Sequence, residues 1–162
     1  MAVALMTLTA LANLGLWFAA FYGRFRLAQG LGTEDYHFVT GLFAAFLSIF
    51  AHCMSMFYFI GTGKVIREAV AEHGLEERLN TEAGRFKRGY FPVASLTVTA
   101  TMAAPIVGGA VHAGRLPHPA HLAVALAALG LNALATAVAW KLLWANQGLI
   151  ARAEADLPRA KD

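Results

Sequence analysis

Apolar residues in this chain come in long blocks, not in alternation or in short amphipathic runs. Four blocks, at about residues 2–22, 36–61, 91–111 and 120–143, are each long enough to cross a hydrocarbon layer of ~30 Å at about 1.5 Å per residue. The pattern predicts an all-α fold: a polytopic membrane protein whose four transmembrane helices form an antiparallel bundle, one domain spanning 1–162. Between the second and third blocks, residues 62–90 alternate acids and bases while Ile66, Ala69, Val70 and His73 share a helical face, with a break expected at Gly74. This stretch reads as a cytoplasmic amphipathic segment of one or two interfacial or docking helices, and residues 144–162 as a cytoplasmic tail.

Within the second block the polar positions are ordered. A helix through 41–62 places Gly41, Ala45, Ser48, His52, Ser55, Phe59 and Thr62 on one stripe at spacings of four and three, and leaves Leu42, Phe43, Phe46, Phe50 and Phe57 on the other faces. Small residues let helices approach, and a polar side chain in hydrocarbon needs a partner, so His52 is expected to face protein. Counted from the expected cytoplasmic ends, Asn13, His52, Thr101 and Asn132 lie at one depth, roughly 13–17 Å in. A polar layer of His52, Ser48, Ser55, Asn13, Thr101 and Asn132 follows. It reads either as a ligand, ion or cofactor site with a neutral imidazole at its centre or as an interhelical hydrogen-bond knot. The absence of Asp and Glu from all four blocks favours the knot, because proton-coupled transport ordinarily pairs its histidine with a carboxylate.

Composition supports the membrane reading. With 58% hydrophobic and 14% charged residues and a mean hydropathy of +0.54, the chain falls outside the range of soluble globular domains. The net charge of +3 is distributed between the blocks, with no basic stripe on a soluble face, which excludes a nucleic-acid partner and suits a lipid bilayer. Arg24 and Arg26 follow the first block; Lys64, Arg67, Arg78, Arg85, Lys87 and Arg88 lie between the second and third; Arg115 precedes the fourth, and Lys141, Arg152, Arg159 and Lys161 close the chain. This bias predicts a multi-pass protein with both termini cytoplasmic. The first block lacks a charged n-region and reads as an uncleaved span. Aromatic residues, among them Tyr58, Tyr90, Trp140 and Trp144, are expected at the inner interface.

Other chemistry is sparse. His37, His112, His118 and His121 are expected at the outer surface, where imidazoles suit copper, zinc or haem iron, and Glu34 or Asp35 would be needed to complete a site. A haem or metal is compatible with the sequence and not required by it. No second histidine lies level with His52, which argues against a bis-histidine haem within one chain. The segment Gly61-Thr62-Gly63-Lys64 is not a phosphate loop, because the leading glycine position holds Tyr58 and Val65 follows the lysine. The lone Cys53 forms no intrachain disulfide, and no set of catalytic residues emerges. Spans one and four are rich in small residues (Ala12, Gly15, Ala19; Ala123, Ala127, Gly130, Ala135, Ala139), which implies close packing and contact with other membrane subunits or with further copies of the chain. The expectation is a non-enzymatic subunit of a larger membrane complex, a redox or energy-converting one among the candidates. The alternative is a homo-oligomeric channel or carrier with His52 lining the path.

Overall fold

The computed structural model describes residues 1–30 and 34–157, and all four of its helices are long. They are α1 (Ala2–Ala28), α2 (Glu34–His73), α3 (Glu77–His112) and α4 (His118–Asp156), and each contains a stretch long and apolar enough to cross a membrane. Helix α3 packs against both α2 and α4, α1 packs against the same two, and α2 and α4 touch least, across the middle.

The four helices differ in how far they outrun a bilayer. Helix α1, with 27 residues, is about 40 Å long, whereas α2 and α4, with 40 and 39, approach 60 Å. The difference corrects the expectation for 62–90. No separate helices lie there. The sequence after Thr62 is made of good helix formers, with Lys64 and Glu68 paired at 3.6 Å one turn apart, so α2 simply continues to His73. Gly74 ends it at φ +66°, a left-handed backbone that glycine reaches without strain. Helix α3 then begins at Glu77 and runs past Pro92 and Pro105 to His112. The expected tail from residue 144 is likewise helix as far as Asp156, and residues 158–162 lie outside the described residues.

Two apolar clusters result. One joins Ala2 and Leu5 of α1, Tyr58 and Phe59 of α2, Tyr90 and Ala94 of α3, and Ala139 and Leu143 of α4. The other involves only the three longer helices, through Ile66, Leu79, Ala83, Leu149 and Ala153. Between them Asn146 Nδ2 donates to Thr62 Oγ1 at 3.1 Å. Beyond that bond α2, α3 and α4 form a three-helix projection, tied on its surface by Arg152 and Arg78, both of which hold Glu82.

Candidate functional site

Seven serine and threonine hydroxyls among the described residues are satisfied within their own helix. Thr7, Thr9, Thr40, Ser55, Thr62, Thr97 and Thr99 all donate to the carbonyl four residues earlier, the usual solution where water is scarce. Ser48 and Thr101 instead take part in bonds between helices. They converge on His52 and Asn132, which are 2% and 1% exposed and face each other from α2 and α4.

The directions of these bonds follow from one backbone group. The carbonyl of Ala128 can only accept, so the Asn132 nitrogen that lies 2.8 Å from it must be Nδ2, which also donates to Thr101 Oγ1 at 2.8 Å. Oδ1 is thereby turned toward α2, where it accepts from the Ser48 hydroxyl and from His52 Nε2, 3.2 Å away. His52 must then carry its proton on Nε2, which leaves Nδ1 as an acceptor. Tyr90 fills that role: its hydroxyl lies 2.7 Å from Nδ1 and donates to it. With a neutral imidazole both nitrogens are engaged, and no formal charge enters the core. Thr97 adds a bond to the Leu131 carbonyl at 3.3 Å, which brings α3 and α4 together beside the same asparagine.

The stripe read from the second block lies toward the interior: Ala45, Ser48, His52, Ser55 and Phe59 are all buried, whereas Phe43, Phe46 and Phe57 are exposed. Of the six residues placed in the polar layer, the structure joins Ser48, His52, Thr101 and Asn132 directly. Ser55 is buried beside them, donates to the Ala51 carbonyl of its own helix and also reaches the Tyr90 hydroxyl. Asn13 is not joined; its Oδ1 is buried without a hydrogen-bond partner, as is Thr136 Oγ1. Helix α1 is fastened elsewhere, through Trp140 Nε1, which donates to the Met6 carbonyl at 3.0 Å and to Thr9 Oγ1 at 3.2 Å.

Tyr90 is the residue that sequence reasoning missed. Assigned to an interfacial belt, it is instead wholly buried and holds the second nitrogen of His52. A signal existed: Tyr90, Ala94, Thr97 and Thr101 repeat at spacings of four and three, the same small and polar stripe that singled out His52, and all four are buried.

At the far ends of α2 and α4, His37 and His121 bring their rings edge to face, centroids 6.4 Å apart. His121 lies over Gly108 of α3, where a Cβ would stand 3.0 Å from its Cε1. His112 and His118 are exposed nearby in sequence. No group of three or more His, Cys, Asp or Glu side chains is placed to hold a metal among the described residues, and the side chains of Glu34 and Asp35 lie outside them.

Fold and site together suggest a multi-pass membrane protein organised around an uncharged hydrogen-bonded centre. No family model, curated protein or solved structure matches the chain, so the functional reading is carried by these residues alone.

Proposed function

We propose that the protein is a non-enzymatic subunit of a larger membrane complex, inserted as an antiparallel four-helix bundle with both termini in the cytoplasm. A redox or energy-converting assembly is the kind of complex proposed for a subunit whose four apolar blocks hold no Asp or Glu. In this reading His52 is a fastener that fixes the mutual rotation of α2, α3 and α4, so that the outer faces are presented in one arrangement.

One observation carries the proposal: on the face that α4 turns away from its own neighbours, small residues are interspersed among the exposed Leu122, Leu126, Leu134 and Trp144. Ala123, Ala127, Gly130 and Ala137 are exposed, whereas Ala135 and Ala139 are spent inside. A helix facing only lipid has no need of a small-residue row; a helix meeting another helix does, because packing between close backbones drives association where the hydrophobic effect cannot. The centre argues the same way. Every nitrogen and oxygen of the His52 and Asn132 side chains is engaged by protein, which leaves little chemistry for a permeating ion.

The test is purification from native membranes in mild detergent, followed by mass measurement, an absorption spectrum and reconstitution into liposomes. The expected result is a hetero-complex that carries no ion flux through this chain. A stable symmetric homo-oligomer that conducts ions would replace the proposal with the channel reading. A Soret band lost in His52→Ala would replace it with a haem protein.

A further inference from the structure

Helices α2 and α3 meet along a seam where glycines make room for cations. Gly63 of α2 is buried, and a Cβ there would stand 3.2 Å from Lys87 Nζ and 4.0 Å from the Ala83 methyl group. The lysine of α3 therefore lies across the space that the missing side chain leaves on α2. Gly84, one turn before Lys87 on α3, is covered in a similar way, since a Cβ on it would stand 3.6 Å from Arg88 Nη1. Arg67 stands one turn beyond Gly63 on the same face of α2. Arg67, Lys87 and Arg88 have no carboxylate or other hydrogen-bond partner among the described residues. The carboxylates near them in sequence are engaged: Glu68 pairs with Lys64, Glu77 accepts from Asn80, and Glu82 holds Arg78 and Arg152.

Position along the helices selects the kind of anion. Lys87 and Arg88 come just before Phe91, where the third apolar block begins, and Gly63 comes just after the second block ends. One turn further into those blocks, on the same faces, stand Ile60, 47% exposed, and the partly buried Phe91. The seam thus passes from apolar to cationic within about one helical turn, roughly 5 Å. An anion dissolved in water would use the cations and leave Ile60 and Phe91 idle, whereas a phospholipid uses both. Guanidinium groups suit its phosphate, which they can hold through two parallel bonds, and a lysine adds a compact charge. In the orientation proposed above this level belongs to the cytoplasmic leaflet, the one whose lipids carry negative charge.

We infer that the seam between α2 and α3 is a binding site for an anionic phospholipid, its phosphate held by Lys87, Arg88 and Arg67 and its acyl chains laid along Ile60 and Phe91. This rests on the membrane insertion and orientation proposed above and adds a ligand to them. Glycine weakens a helix interior relative to alanine, and what Gly63 supplies in exchange is the room in which Lys87 lies. Two further cations separate a site from a merely basic surface. Arg85, two residues from Lys87, points away from α2, and Lys141 of α4 precedes the Leu142 that lies against Gly89; both are exposed and neither belongs to the seam.

The test is native mass spectrometry of the full chain in detergent micelles, titrated with phosphatidylglycerol or with phosphatidylcholine. Saturable binding of phosphatidylglycerol is expected, about tenfold or more tighter than that of phosphatidylcholine, and weakened about fivefold by each of Lys87→Gln, Arg88→Gln and Arg67→Gln. Gly63→Leu, which displaces the lysine and removes no charge, should weaken it as well. The pair Arg85→Gln and Lys141→Gln, which takes charge from outside the seam, should change it less than about twofold. Equal affinity for the two lipids would overturn the inference, as would equal losses in the seam variants and the control pair. Displacement of the lipid by inorganic phosphate at equal concentration would also overturn it, by making the site one for free phosphate. Alkaline carbonate extraction of native membranes tests the parent reading separately. A chain released by carbonate is not membrane-inserted, and the site falls with that reading; a chain that stays in the membrane and shows no lipid preference loses only the site.

Discussion

Two groups of buried polar side chains lie close together in this molecule and meet different fates. Around Asn132, five side chains from three helices share bonds that run in one consistent direction. At Asn13 and Thr136, an amide oxygen and a hydroxyl are as deeply shielded and bond nothing. Burial does not separate them; the presence of a partner does. Ser48 and His52 aim across the middle at α4, and Thr101 and Tyr90 close on the same point from α3. Thr136 is one turn further along α4 from Asn132, and Asn13 one turn from the Thr9 that Trp140 ties to α4. A polar atom in a dry interior stabilises only when its partner points back, and an unanswered one costs about 1–3 kcal/mol.

The most disruptive way to break this contrast is Asn132→Leu. It orphans Ser48, His52 Nε2 and Thr101 together, and a loss of about 2–4 kcal/mol is expected, because interhelical bonds in membranes contribute roughly 0.6–1.7 kcal/mol each and stranded partners add to that. Thermal unfolding in detergent measures it; a loss below about 0.5 kcal/mol would mean the bonds around Asn132 hold nothing. Next in size is the coupling between Tyr90 and His52. A double-mutant cycle of Tyr90→Phe and His52→Leu should give a coupling of about 1 kcal/mol, since the hydroxyl and Nδ1 lie 2.7 Å apart. Additive losses would show that the tyrosine bonds elsewhere in solution.

How far this arrangement was legible in the sequence depends on what each signal measures. Block length and apolar content fix the existence of four membrane-length helices, because both are properties of a segment by itself. The stripe through Ser48 and His52 is legible for the same reason: a helix repeats at 3.6 residues whatever surrounds it. Equal depth is weaker evidence, since counting residues places a side chain along a helix and says nothing of where its helix is turned, which is why Asn13 was grouped with Asn132. Tyr90 was lost to a composition rule, aromatic near a boundary, when the periodicity through Ala94, Thr97 and Thr101 pointed inward. Helices α2, α3 and α4 outrun their apolar blocks because the end of hydrophobicity is not the end of a helix. Past Thr62 the sequence turns polar and the backbone stays helical, held by the second cluster of Ile66, Leu79 and Leu149.

A smaller effect of the opposite sign comes from Asn13→Leu. With Oδ1 buried and unanswered, exchanging the amide for a similar apolar shape removes a desolvation penalty and strands nothing, so stability should be unchanged or should rise by up to about 1 kcal/mol. The same measurement then sharpens the contrast with Asn132→Leu. A loss approaching that of the Asn132 variant would put Asn13 inside the bonded centre.

The smallest effect lies in the projection. Glu82 accepts from Arg152 Nη2 at 2.6 Å and from Arg78 Nε at 3.1 Å, and the bond from Arg152 above all holds its carboxyl below the ordinary glutamate range. A carboxyl depressed in the folded state stabilises fully above its unfolded pKa, about 4.3, and the contribution disappears as pH falls through the lower folded value. Glu82→Gln should therefore cost less than about 1 kcal/mol at pH 7, a modest figure because Arg152 and Arg78 are more than half exposed and salt screens them. The difference between wild type and variant should shrink with added NaCl and vanish in acid, whereas the cost of Asn132→Leu, which involves no charge, should be unmoved by salt. A salt-independent cost at Glu82 would mean that the carboxylate acts through packing against α4, and the division of this molecule into a neutral, hydrogen-bonded middle and a charge-tied projection would lose its basis.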